Sequence, residues 1–263
     1  MLNNLKILRK KILEVSYNTK KGHIPSAFSI LEILWVLYNE ILIYNINFPK
    51  DDNRDRFILS KGHASLALYG IFAEKGLIDF NELDTFCKFD SRLGGHPHCS
   101  KLPWVEASTG SLGHGLPIAV GIAMGLKINK IDRNVYVLIG DGESNEGTIW
   151  ESAMLASNHF LDNLILIVDF NHSNDRALNL GDLCNKFISF GWHAISLDGH
   201  NITELSLNFN NLKQIKNKPK VIIANTIKGF GIKSMENNPA WHHRSPNEQE
   251  LTIFSNELEQ KTN

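Results

Sequence analysis

The chain has 263 residues, 43% of them hydrophobic, with 19 Gly, 8 Pro and a formal net charge of −1 at pH 7. That length supports a sizeable core, and the near-neutral balance carries no basic field to attract nucleic acid or an anionic membrane. The three cysteines, Cys87, Cys99 and Cys184, are odd in number and lack Cys-x-x-Cys spacing; they argue against a disulfide framework and for a reduced, cytoplasmic location.

Leu5, Leu8, Ile12 and Val15 recur at helical spacing and predict a helix over 3–16. The basic residues around them are followed by no continuous apolar run, so the segment does not read as a signal peptide, and no run approaches a membrane span. Gly22-His23-Ile24-Pro25-Ser26 predicts a loop, and the largely apolar 26–43 one long helix. A polar, turn-rich stretch leads to a short strand, Phe57-Ile-Leu-Ser, and Lys61-Gly62-His63 turns into another helix. Residues 90–115, dense in Gly, His, Pro and Ser, predict a long loop, and such a loop in a compact chain usually binds something. Small residues then dominate a helix over 115–127.

From Val135 the alternation is regular. A strand ends at Gly140-Asp141-Gly142, a helix covers 147–160, and a second strand covers 164–169. After a polar loop come helix 182–191, strand 193–197, helix 202–217, strand 221–225, an irregular stretch 234–246 and a charged helix 247–260. Strands alternating with helices predict an α/β fold: a doubly wound, mainly parallel sheet with helices on both faces. No repeat, low-complexity tract or linker divides the chain, so residues 1–263 read as one domain.

Two apolar runs that read as buried parallel strands each end in a metal-type ligand, the first at Asp141 and the second at Asn171. One crossover helix fits between them. The layout sets a carboxylate and an amide oxygen side by side at the carboxyl edge of a sheet, where open α/β sheets bind ligands. A hard cation such as Mg²⁺ takes oxygen ligands and commonly bridges to a diphosphate. Gly140 and Gly142 let backbone approach phosphate, and the amides opening helix 147–160 favour anions. Alone, Gly-Asp-Gly is an ordinary strand-to-helix turn; the match to Asn171 gives it weight. Gly140, Gly142 and Gly147 do not make Gly-x-Gly-x-x-Gly, and no P-loop run exists.

With both strand tips in place, Gly140-Asp-Gly…Asn171 resembles the thiamine diphosphate signature, and further segments narrow the resemblance to the transketolase family. Gly22-His23-Ile-Pro-Ser, Ser60-Lys-Gly-His63-Ala, Gly95-His96-Pro97 and Thr109-Gly110-Ser111-Leu112-Gly113-His114-Gly115 resemble its loops in family order, as do Lys228-Gly-Phe-Gly, Trp241-His242-His243 and Glu146-Gly147-x-x-x-Glu151. The resemblance implies Mg²⁺ (or Ca²⁺ or Mn²⁺) held by Asp141, Asn171 and the carbonyl of Ser173. It implies thiamine diphosphate held by His63, Gly110, Ser111, Leu112, Gly140, Asp141, Gly142, Glu146 and Asn171. His23, His63, His96 and His243 become the expected catalytic groups, with His243 favoured over His242 because His243-Arg-Ser-Pro resembles the family's His-Gly-Ser/Ala-Pro. Imidazoles suit the work: they bond sugar hydroxyls and exchange protons near neutral pH.

A single Gly-His pair is more often a surface turn than a catalytic residue. His96, His98 and Cys99, or His242 and His243, can also be read as zinc ligands, although no spacing completes four. His159, His193 and His200 read as structural or solvated. The sequence departs from the family at His172-Ser173-Asn-Asp-Arg176-Ala and at His114, where a Gln is usual.

The family's pyrimidine-binding and C-terminal domains have no counterpart here. With them go the Glu that protonates the cofactor's ring nitrogen, the aromatic platform and the Arg/His cluster for a sugar phosphate. The resemblance therefore implies a fragment, or one subunit of a split enzyme; the Met start and charged terminal helix favour the subunit. It is expected to be inactive alone and to meet a C-terminal transketolase subunit in an α2β2 assembly. Together they would move a two-carbon ketol unit from a ketose (phosphate) donor to an aldose. A 2-oxo-acid dehydrogenase α-subunit would not need the Gly-His segments and usually carries a phosphorylatable Ser loop. A 1-deoxyxylulose-5-phosphate synthase-like domain is normally fused to its other domains, and a non-catalytic scaffold has no use for Asp141 with Asn171.

Overall fold

The computed structural model describes residues 2–175 and 177–260. Five parallel strands form one sheet in the order β1-β2-β3-β5-β4. They are β1 (Arg56–Leu59), β2 (Val135–Gly140), β3 (Leu164–Phe170), β4 (His193–Asp198) and β5 (Lys220–Asn225). The central strands β2 and β3 are largely apolar because both faces are covered, with Asp169 on β3 the exception. On β2, Tyr136 and Leu138 enter a first core, and Val135, Val137 and Ile139 a second.

The first core is roofed by α1 (Leu2–Thr19), α2 (Ile24–Phe28), α3 (Leu31–Val36), α4 (Ser65–Glu74), α8 (Ile202–Lys213) and α9 (Glu248–Gln260). The second is roofed by α5 (Gly115–Ile128), α6 (Gly147–Asn158) and α7 (Leu183–Ser189). This is the doubly wound arrangement expected from the sequence. Each fully buried Leu, Ile or Phe in these cores contributes about 1.5–3 kcal/mol.

Two segments differ from expectation, the first because α2 starts at Ile24, inside the loop expected over 22–26. The single helix over 26–43 is three pieces: α2, α3 and a wider turn over Leu37–Ile41 in which the Leu42 amide bonds the Leu37 carbonyl. The break falls at Ser29, whose hydroxyl contacts the Ser26 carbonyl and reaches Asp169 on β3 at 2.8 Å. Every residue of α2 and α3 is buried, so no solvent-facing stripe remained to reveal a change of helix axis. A short 3₁₀ turn over Phe80–Thr85, capped by Asp79, was also not foreseen. The long loop over 90–115 is irregular as expected.

Candidate active site

The carboxyl ends of β2 and β3 lie side by side, with Gly140 paired to Asp169. Asp141 follows β2 and Asn171 follows β3, and both are buried. Ser173 joins them: its amide donates to Asn171 Oδ1 at 3.1 Å, and its hydroxyl donates to Asp141 Oδ1 at 3.2 Å. The Gly142 amide also donates to Asp141, at 2.8 Å.

Asn171 has a fixed orientation. Its Nδ2 donates to the acceptor-only carboxylate of Asp169 at 3.0 Å, so its carbonyl oxygen must face the other way, toward Ser173. A carboxylate and an amide oxygen thus converge on one residue, a donor set that fits a hard divalent cation. Among the described residues no three His, Cys, Asp or Glu side chains gather as a zinc site would need. His98 faces Ser100 Oγ at 2.9 Å, and Cys99 Sγ faces Ser108 Oγ at 3.3 Å.

Beneath this pair lies a buried ion pair that sequence reasoning missed. Lys61, from the turn after β1, extends over the tip of β2 to Asp169, and both side chains are almost fully buried. The Lys61 stem passes close to Gly140, where an added Cβ would lie 3.9 Å from Lys61 Cδ, an ordinary contact. Ser29, Thr226 and Asn171 also donate to Asp169. Burial pushes the Asp169 carboxyl up, but Lys61 and the donors outweigh it and hold it below its ordinary range. The available signal was an Asp inside an otherwise apolar strand run, which has to find a partner.

The Thr109–Gly115 segment is clamped from three sides. Gly62 packs so closely that a Cβ would lie 2.6 Å from Thr109 Oγ1 and 3.0 Å from the Gly110 amide. The Gly115 amide donates to Ser60 Oγ at 3.0 Å. Buried Glu143, also missed, accepts from the amides of Gly113 at 2.9 Å and Gly140 at 3.2 Å, and from the Ser60 hydroxyl. Burial raises the Glu143 carboxyl, against these donors. Gly110 and Gly113 have positive φ, and a side chain on Gly113 would run into Glu146. Ser111, Leu112, His114 and Glu146 are exposed at this rim. His114 Nδ1 lies 2.9 Å from the Leu112 carbonyl and 3.2 Å from Ser111 Oγ.

The histidines gather above. The ring of His23 lies 5.1 Å from His63, 4.4 Å from His243 and 5.8 Å from His242, between centroids. His96 lies against Gly110, where an added Cβ would come within 2.9 Å of its ring. Burial first, then Lys61 and His23, lowers His63 to about 2. Burial first, then His243, His242 and His96, lowers His23 to about 4. Both imidazoles are neutral at physiological pH.

Both candidates of the final loop enter the site, in different places. His243 lies on His23, while His242 Nδ1 takes a bond from the Lys228 ammonium at 2.9 Å. Lys228 and His242 share a cleft of about 420 Å³ with Asn171, Ser173, Thr226 and Asn238. Burial and the nearby Lys61 lower Lys228 to about 8, against the pull of Asp141 and Asp169. His242, passed over in favour of His243, thus borders the Asn171 and Ser173 end. His159 is exposed as expected, and His172 packs on Phe170 and pairs with Asp175 at 2.9 Å. Arg176 of the departing segment lies outside the described residues.

Comparison with known proteins agrees with this geometry. Residues 2–260 match the family described as transketolase, thiamine diphosphate binding domain. One of the subunits of an apulose-4-phosphate transketolase, from Actinobacillus succinogenes, is 40% identical over 261 residues, covering 96% of this chain and 94% of that protein. Its counterpart in Phocaeicola vulgatus is 36% identical over 258 residues, covering 96% and 92%. A solved transketolase from Leishmania mexicana superposes with a TM-score of 0.90 at 28% identity, covering 98% of this chain but 41% of that one. The chain therefore matches the separate apulose-4-phosphate transketolase subunits over nearly their whole length and spans about two-fifths of the solved enzyme. It belongs to the transketolase family, as that family's thiamine diphosphate binding domain.

Proposed function

We propose that this chain is the N-terminal, cofactor-anchoring subunit of a split transketolase, moving a two-carbon ketol unit from a ketose (phosphate) donor to an aldose acceptor. Residues 1–263 would form one thiamine diphosphate-binding domain, with the pyrimidine-binding and C-terminal domains on a partner chain. The observation that carries the reading is the joining of Asp141 and Asn171 through Ser173 in the cleft that His242 shares, beside the His23, His63, His242 and His243 cluster.

Asp141, Asn171 and the Ser173 carbonyl would hold Mg²⁺, with Ca²⁺ or Mn²⁺ as substitutes, and the metal would hold the diphosphate. Lys228 and His242 border the same cleft and would face its negative charge. Gly140, Gly142, His63, Gly110, Ser111, Leu112 and Glu146 would enclose the cofactor. When bound, thiamine diphosphate supplies the nucleophilic carbon and the electron sink for carbon–carbon cleavage and formation. The chain's own part is to bind, orient and exclude water. His23, His63, His96 and His243 would bond the donor's hydroxyls and pass protons; an uncharged ring, as at His23 and His63, serves as both donor and acceptor.

Two features support a partner. The relatives that match end to end are themselves named as single subunits of a transketolase. In addition, α5 and α6 pack together and leave Ile118, Met154 and Leu155 exposed, an apolar face of the kind subunit contacts bury. An α2β2 assembly is the expected stoichiometry, and the three free cysteines suit a cytoplasmic setting. The test is co-purification with a pyrimidine-domain subunit, followed by a ketose-to-aldose transfer assay. Activity should require both chains, thiamine diphosphate and Mg²⁺. Full transfer by this chain alone would refute the two-chain reading.

A further inference from the structure

His200, which the sequence reads as structural or solvated, has both of its ring nitrogens bonded inside the protein. It follows β4 and precedes α8, well away from the imidazole cluster in sequence. Its Nε2 accepts the backbone amide of Ile227 at 2.9 Å, so that nitrogen carries no proton. Nδ1 must then carry the proton and donate it to Glu32 Oε2, 3.1 Å away. Glu32 is buried and accepts from Arg9 Nη2 at 2.7 Å. Arg9 in turn donates from Nε to the Phe230 carbonyl at 3.1 Å and lies 5.4 Å over the Phe230 ring. His200 itself completes the arrangement, stacked on Phe230 with centroids 3.6 Å apart.

The chain of contacts returns to one short segment. Ile227 and Phe230 bracket Lys228, the cation that borders the Asn171 and Ser173 cleft. Gly199 brings the β4 tip to that segment: a side chain there would lie 2.4 Å from Thr226 Cγ2. The Gly229 amide, bonded to the Pro25 carbonyl at 3.0 Å, ties the same turn to the His23 loop.

We propose that the relay Arg9–Glu32–His200 is a positioning device for the cofactor: it fixes the Ile227–Phe230 turn and thereby aims Lys228 at the diphosphate. His200 touches no reacting atom, so it is a positioning residue. The inference rests on the proposed reading of Lys228 as a diphosphate contact.

The test compares two polar substitutions in the two-subunit complex, reading the Kd of thiamine diphosphate at saturating Mg²⁺. His200→Gln places an acceptor where Nε2 stood and keeps the Ile227 bond. His200→Asn reaches only Glu32 and loses it, while both lose the stack on Phe230. His200→Asn is expected to weaken binding about tenfold and His200→Gln no more than about threefold, a difference that hydrogen exchange at the Ile227 amide should mirror. In a Lys228→Met background the gap between the two should shrink to less than about twofold, because residues acting through one group are not additive. Equal Kd values for the two variants would overturn the proposal, and so would a gap that persists in Lys228→Met. If Lys228→Met alone leaves the Kd unchanged, the reading of the site itself fails, an outcome distinct from failure of the relay.

Discussion

The two ends of the cleft handle charge in opposite ways. At the sheet end, charge is matched within the chain: Lys61 faces Asp169, three neutral donors complete the carboxylate, and the arrangement is buried. At the mouth, His23, His63, His242 and His243 crowd one another, and burial with neighbouring cations keeps His23 and His63 uncharged. The first end is built to hold a permanent charge in one place. The second offers neutral groups that bond hydroxyls in either sense. A diphosphate needs the former and a sugar the latter.

The sharpest way to break this contrast is Lys61→Met, which leaves Asp169 charged, buried and without its cation. Removing one partner of such a pair costs about 3–5 kcal/mol, and urea unfolding should register that loss. The double variant Lys61→Met/Asp169→Leu should recover most of the stability, because two apolar groups need no compensation. It should not recover cofactor binding, since the Asn171 Nδ2 then loses its acceptor and, among the described residues, only the Ser173 amide still holds the group. A single variant that loses less than about 1 kcal/mol would mean that the pair is solvated and the two ends alike.

Asp141→Ala separates binding from folding at the same end. Asp141 takes bonds from Gly142, Ser173 and Asn174 and, among the described residues, makes no ion pair like that of Asp169 with Lys61. Thiamine diphosphate affinity in Mg²⁺ should fall at least a hundredfold, about 2.7 kcal/mol. The melting temperature of the free chain should move far less than in Lys61→Met. Titration calorimetry on the two-subunit complex measures the first and a thermal melt the second.

Glu143→Gln should have an intermediate effect. The carboxylate gathers three donors from β2, the Thr109–Gly115 segment and Ser60, and an amide replaces one acceptor with an unwanted donor. A buried donor left unmatched costs about 1–3 kcal/mol. The loss should appear both in urea unfolding and as weaker cofactor binding, because the same residue anchors the enclosing loop.

The contrast also explains what could be read from the amino acids alone. The parallel sheet was legible because uninterrupted apolar strands ending in Asp141 and Asn171 carry their own punctuation. His23, His63 and His96 were legible because each sits in a Gly-containing loop with a recognisable neighbour. Lys61–Asp169 was not, since a buried pair depends on which strands are adjacent, and the β1-β2-β3 order is a tertiary fact. Glu143 escaped for a similar reason: it lies inside Gly-Asp-Gly-Glu, where Asp141 already explained the motif. His242 and His243 differ only in which way successive side chains of one turn face, and periodicity says nothing about an irregular segment.

The smallest effect concerns pH, and here the two ends separate along the axis. His23 and His63 are lowered to about 4 and about 2 in the folded chain, from about 6.5 when unfolded. Below about pH 6.5 the unfolded chain therefore takes up protons that the folded one refuses, so stability is complete above that pH and declines as pH falls toward 4. Asp169 is lowered as well, but from the carboxylate range, so its contribution persists until pH drops below about 3.9 and is lost only as pH falls through its folded value. Between pH 7 and pH 5 the imidazoles should thus respond and Asp169 should not. Because His23 is only half-buried, the decline should be modest, on the order of a few degrees of melting temperature. His23→Gln should flatten that slope, while Lys61→Met should shift the whole curve down and lessen only the share of the slope that Lys61 imposes through His63. An unchanged slope in His23→Gln would show that the cluster is not where the protons are refused.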